Sequence, residues 1–235
     1  IEPILCNLMS ESLDNELLAK FQEEVWNKVP HREEKDDEVK IVNPTPLVEL
    51  TEDLKECAKT VYNVDITNKD FKLYGKFDNT LLTGSIKVRP AVNIIHDAII
   101  TGKIKTGTTV IEATSGNFGI ALGLLSKIGI TAIALVSRKL QEGVFTELRN
   151  GQIRIMDLDM DICPAPGMEG KQDIMVAKAT AANIRSQLVE LGFEPDAYDK
   201  NISEIESLLA SKDIINLAKF LAKIYDCFCP EQYDN

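Results

Sequence analysis

Between Thr108 and Leu158 the chain repeats one pattern. The apolar run TTVIEA (Thr108 to Ala113) precedes a small-residue and aliphatic segment from Gly119 to Ile128. The run TAIALV (Thr131 to Val136) precedes an amphipathic segment from about Leu140 to Arg149, and Ile153 to Leu158 is apolar again. Short runs rich in Val, Ile and Leu, alternating with helix-length segments across brief turns, predict parallel strands with helices on both faces. Open sheets of that kind bind ligands in the loops at the carboxyl ends of their strands. The polar turn Thr114-Ser115-Gly116-Asn117-Phe118-Gly119 lies at such an end.

The flanks read as helical. Leu13, Leu17, Leu18, Phe21 and Val25 recur at helical spacing between Ser10 and Trp26, predicting an amphipathic packing helix. The run HREEKDDEVK from His31 to Lys40 predicts a solvated, charge-dense connector. In Asn43-Pro44-Thr45-Pro46 two prolines hold the chain extended as a strap. A short helix is expected over 52–60 and a strand over 72–77. Ala91, Val92, Ile94, Ile95, Ala98 and Ile99 then predict a helix stopped by Gly102. Beyond the alternating region a long helix over 171–191 and two more over 202–210 and 214–225 are expected.

A net charge of -11 argues against a nucleic-acid surface, since phosphate binding needs clustered Lys and Arg. No apolar run is long enough to span a bilayer, so no membrane partner is expected. The five cysteines are odd in number and scattered, which fits a reducing cytoplasm better than a disulfide framework.

Two places can carry chemistry. The run Thr83-Gly84-Ser85-Ile86-Lys87 delivers a lysine to a helix start. A lysine amine attacks carbonyls only when deprotonated, and Arg89, two residues on, could be the cationic neighbour that lowers its proton affinity. The 114–119 turn offers backbone N–H groups, hydroxyls and an amide for a carboxylate or phosphate. His96 reads as a structural or surface residue rather than a ligand. Asp157, Asp159 and Asp161 would share one strand face, but the spacing fails as an EF-hand, so a solvent-facing edge is expected. Cys227 and Cys229 with only two histidines fall short of a zinc pattern and read as buried thiols. Nothing physical explains the rigid loop Cys163-Pro164-Ala165-Pro166-Gly167.

Three stretches, NPTPLVEL (Asn43 to Leu50), KFDNTLLTGSIKVRPA (Lys76 to Ala91) and EATSGNFGIAL (Glu112 to Leu122), resemble the cysteine-synthase family of fold-type-II pyridoxal-phosphate enzymes, in the family's order and spacing. The closing Gln232-Tyr233-Asp234-Asn235 also resembles the family's return to its second domain. The resemblance implies a tryptophan synthase beta-like α/β fold, a three-layer sandwich with a mainly parallel sheet and helical additions at both ends. It implies pyridoxal 5'-phosphate as cofactor, held by Lys87 as an internal aldimine, with Asn117 bonding its ring hydroxyl. Thr114, Ser115, Gly116, Phe118 and Gly119 would hold the substrate carboxylate. The implied reaction is β-elimination and β-replacement on an O-acetylserine-like or serine-like amino acid, through an aminoacrylate. A homodimer is expected. The implied domains are 1–85 (part of the larger domain), 86–160 (a small α/β domain) and 161–235 (helical, leading back towards the larger domain).

The departures keep alternatives open. Leu81-Leu82 stands for the family's Asn-Pro, Val88 for an Asp, and Phe118 for a Thr whose hydroxyl is lost beside the substrate. The family's Gly-rich phosphate cup has no counterpart before Asn235 and is expected beyond it, with a fragment the simplest account; a second chain completing the site is another. A serine/threonine dehydratase-like lyase and a non-catalytic subunit acting in assembly also stay open.

Overall fold

The computed structural model describes residues 13–35, 38–114, 116–137, 140–158 and 180–232. Its centre is a parallel sheet of β5 (Thr109–Ala113), β6 (Thr131–Ser137) and β7 (Arg154–Leu158), in that order. Because strand side chains alternate between faces, each strand feeds two cores. Val110, Ala132, Ala134 and Val136 face one helical layer. Ile111, Ala113, Ile133, Leu135, Met156 and Leu158 face the other. The sandwich expected from the sequence is therefore present: helices, parallel sheet, helices.

On the first face lie α1 (Asn15–Glu24), α3 (Val88–Ile100), α4 (Asn117–Leu122) with its 3-10 continuation Gly123–Ile128, and α5 (Glu142–Asn150). The second face is covered by α6 (Ala181–Glu190), α7 (Pro195–Lys200), α8 (Ile202–Ser211) and α9 (Ile214–Ile224). The α6 helix is capped by Thr180, whose hydroxyl accepts from Asn183 N–H at 3.2 Å. It starts later than the expected helix, whose residues 171–179 lie outside those described. The separate helix α7 was not anticipated.

After α9 the chain returns to the free edge of β5. Phe228 donates its N–H to Thr109 O at 2.9 Å, and its carbonyl accepts from Ile111 N–H at 2.9 Å. One residue of the tail thus extends the sheet as a parallel rung.

The main correction concerns residues 31–40. They form an antiparallel ribbon of β1 (His31–Lys35) and β2 (Glu38–Val42), where the charge density predicts a loop. A ribbon wet on both faces tolerates charge, and its register sets Glu33 opposite Lys40. Its anchor is His31, 6% exposed, whose ring lies 4.5 Å from that of Trp26. The strap then leads into β3 (Leu47–Glu49), which pairs antiparallel with β4 (Tyr74–Lys76), with α2 (Thr51–Tyr62) between them. Here Leu47, Val48, Val61, Tyr62 and Tyr74 are exposed.

Candidate active site

Val88, Ala91, Val92, Ile95, Ala98 and Ile99 put one face of α3 into the core. Lys87 sits at the N-cap of this helix and is exposed. Its ammonium has no hydrogen-bond or ion-pair partner among the described residues. The residue behind it explains one departure from the family pattern: Val88 is fully buried and serves packing.

The approach to Lys87 is a series of tight turns. Gly84 N–H bonds Leu81 O at 2.7 Å, which needs the left-handed φ of 68° that glycine adopts freely. Lys87 N–H reaches Ser85 Oγ at 3.3 Å. Thr83 Oγ1 is buried without a hydrogen-bond partner among the described residues.

Arg89, suggested as a cationic neighbour by its sequence position, is engaged with other partners. Its Nη2 donates to Asp78 Oδ1 at 2.9 Å and to Thr45 Oγ1. The Arg89 bond holds the Asp78 carboxyl below the usual carboxylate range. The guanidinium charge is spent on this pair.

The second loop is built on Thr114, which is fully buried. Its Oγ1 accepts from Gly116 N–H at 3.2 Å and from Gly119 N–H at 3.0 Å. Two N–H groups expected to face a carboxylate are therefore folded inward. That leaves the Asn117 and Phe118 N–H groups as first-turn donors of α4. The Asn117 side chain is exposed, with no partner among the described residues. Phe118 is 2% exposed and packs into the core, so its bulk supports the loop from behind. Ser115 lies outside the described residues.

Sterics enforce the glycines. Gly116 has φ 134°, and a Cβ there would lie 3.0 Å from Val144 Cγ1. A Cβ on Gly119 would come within 2.6 Å of Thr114 Cγ2. Hydrogen bonds thus join Thr114, Gly116 and Gly119 directly. The helix that Lys87 precedes, α3, packs on α4, the helix that the turn begins.

Sequence reasoning passed over Glu112. It is 1% exposed in the middle of β5, and burial pushes its carboxyl up to about 7. Its Oε2 accepts Gln232 N–H at 3.4 Å and lies 4.0 Å from Cys229 Sγ. Gln232 Nε2 in turn donates to Ala113 O at 2.8 Å. The signal was present as a carboxylate inside an apolar strand. The thiols of Cys227 and Cys229 are half-buried and free, and burial pushes them to about 11 and about 12. Among the described residues no cluster of His, Cys, Asp or Glu could hold a metal, and no helix is long and apolar enough to cross a membrane. Asp159, Asp161 and the 163–167 loop lie outside the described residues.

The described chain is thus a parallel α/β sandwich with a lysine at the start of one helix and a glycine-bound polar turn at the start of another. The chain matches the profile of the family "Pyridoxal-phosphate dependent enzyme" over residues 40–208, and it belongs to that family. Pyridoxal phosphate is the family's cofactor, and the tryptophan synthase beta-like fold class expected from the sequence holds. The chain is 38% identical to a cysteine synthase of Aquifex aeolicus (strain VF5) over 41% of its own length and 27% of that protein's. It is 31% identical to an O-acetylserine dependent cystathionine beta-synthase of Bacillus subtilis (strain 168), covering 71% of this chain and 50% of that protein. Among solved structures, an O-ureido-L-serine synthase superposes with a TM-score of 0.49 at 20% identity, covering 81% of this chain and 42% of that one. The chain thus spans between about a quarter and a half of these relatives.

The described residues fit part of the cofactor. An open primary amine suits its aldehyde, and an open amide suits its ring hydroxyl. Among the described residues no second glycine-rich turn like that at 114–119 is present to grip the phosphate.

Proposed function

We propose that this chain carries the lysine and the substrate loop of a cysteine-synthase-type enzyme, performing β-elimination and β-replacement on an O-acetylserine-like or serine-like amino acid. The observation that carries the reading is that Lys87 and the 114–119 turn both lie inside the family-matched segment 40–208, with the Lys87 amine unpaired at the head of α3. Pyridoxal phosphate, when bound, supplies the electron sink that makes a Cα proton removable. Lys87 would hold the cofactor covalently, and its free amine would be the base that takes the Cα proton. Asn117 is the ring-hydroxyl partner. The Asn117 and Phe118 N–H groups orient the substrate carboxylate, with Ser115 and the Thr114 hydroxyl hydrogen as further donors. Gly116 and Gly119 keep the backbone close enough for that contact. In this reading residues 1–85 belong to the larger domain, 86–160 form the small domain, 161–235 are a helical segment leading back towards the larger domain, and the active species is a cytoplasmic homodimer.

Incubation with pyridoxal phosphate, borohydride reduction and peptide mapping test it. A pyridoxyl group on Lys87, lost in Lys87→Ala with an unchanged melting temperature, is the expected outcome. Reduction that labels other lysines and spares Lys87 refutes it. A second reading, a non-catalytic subunit acting in assembly, is favoured by the exposed apolar residues of β3, α2 and β4. It predicts stable association by Lys87→Ala and wild type alike, with no labelling of either.

A further inference from the structure

The loop bearing Lys87 is bonded almost wholly to itself. Leu81 N–H reaches Asp78 O at 3.2 Å, Gly84 N–H reaches Leu81 O, and Arg89 N–H reaches Ile86 O at 3.1 Å. Each of these bonds spans three residues and fixes a turn, but none fixes the loop to the scaffold. Leu81, half-buried against the core, is one attachment. Just before the loop, Phe77 N–H bonds the strap at Pro46 O at 3.0 Å. Arg89 is a further attachment, its single Nη2 tying three elements together: α3, the start of the loop at Asp78, and the strap at Thr45. A cavity of about 390 Å³ opens beside this tie, lined by Pro44, Thr45 and Pro46 of the strap and Thr80, Leu81 and Leu82 of the loop. Strap and loop are therefore not packed against each other there, and the guanidinium spans the gap.

We infer that Arg89 is a positioning residue for Lys87. The Asp78–Arg89 pair closes the loop at both ends, and Thr45 fixes that closure to the strap, so the amine is delivered in one place. The planar guanidinium reaches both acceptors from one nitrogen, which a methionine of similar length cannot do. Misplacing a reacting group by about an ångström costs on the order of a hundredfold in rate, so a loose loop would matter to the chemistry. The inference rests on the proposal that Lys87 anchors the cofactor, but the tie itself does not.

Two measurements on the same variants separate these points. Hydrogen–deuterium exchange of residues 79–87 needs no cofactor. It is expected to rise at least roughly tenfold in Arg89→Met and in the milder Asp78→Asn, with β5 and β6 unchanged and Arg89→Lys intermediate. The rate of borohydride trapping of pyridoxal phosphate on Lys87 is expected to fall in the same order, with partial rescue in Arg89→Lys. Unchanged exchange in Arg89→Met and Asp78→Asn overturns the tie. Faster exchange with undiminished trapping overturns the positioning role. Absence of trapping in the wild type, with the exchange pattern as expected, refutes the Lys87 anchor and with it the positioning role, while the loop tie stands. Should Arg89→Met fail to fold, Asp78→Asn and Thr45→Val decide by the same readouts.

Discussion

Replacing Glu112 with glutamine should change how stability depends on pH. The Glu112 carboxyl is 1% exposed, and burial is the largest influence on it. The backbone N–H groups of Gln232, Glu231 and Ala113 favour its charged form, while the charge of Glu231 opposes it. Lys219 is engaged with Glu231 at 3.1 Å. The balance raises the folded-state value from 4.5 to about 7. Between those values the folded chain binds more protons than the unfolded one. The stability due to neutral Glu112 is thus fully present below about 4.5 and is lost as pH rises through about 7. At about 1.4 kcal/mol per pH unit, the loss is on the order of 3 kcal/mol. Glutamine keeps an acceptor for Gln232 N–H and cannot ionise. Urea unfolding of both proteins at several pH values should show their stability difference shifting by about 3 kcal/mol in favour of Glu112→Gln between about pH 4 and about pH 8. A difference that is flat with pH, or that moves the other way, refutes the assignment.

Three further outcomes follow from the geometry. Thr114→Val removes the acceptor of the Gly116 and Gly119 N–H groups and should cost about 1–3 kcal/mol in urea unfolding, whereas Thr114→Ser should recover most of it. Gly116→Ala meets both a φ of 134° and the Val144 side chain; a loss of about 1–3 kcal/mol is expected, only partly relieved by Val144→Ala. The His96 ring stacks on Trp26, the single tryptophan, at 3.9 Å, and burial lowers its proton affinity below the usual 6.5. Tryptophan emission should therefore show an acid step with its midpoint below that value, removed in His96→Phe; persistence of the step in that variant excludes His96 as its source.

Much of the fold was legible because its signals are local. The strand–helix alternation of 108–158 needed only apolar runs and turn residues, and the face of α3 could be read from spacing alone. The Lys87 run and the 114–119 turn were also visible as residue types at element ends. Less local features were misread or missed. The 31–42 ribbon was hidden by its charge, which a solvent-washed hairpin tolerates. Phe118 was expected beside the substrate, yet its helical position turns it inward. The role of the Thr114 hydroxyl oxygen as acceptor of the Gly116 and Gly119 N–H groups was not seen.

By itself, then, the sequence determined the layered α/β plan, the identity of the candidate lysine and loop, and the glycines that let the backbone pass closely. Each was readable from residue types a few positions apart, although Gly116 also meets Val144, far along the chain. Only the tertiary structure decided what the charged groups do. Asp78 and Thr45, 11 and 44 residues from Arg89, take its charge. Gln232 and Cys229, 120 and 117 residues from Glu112, close over its carboxyl. Electrostatic free energy depends on burial and on neighbours brought together by folding, and neither is written in residue order.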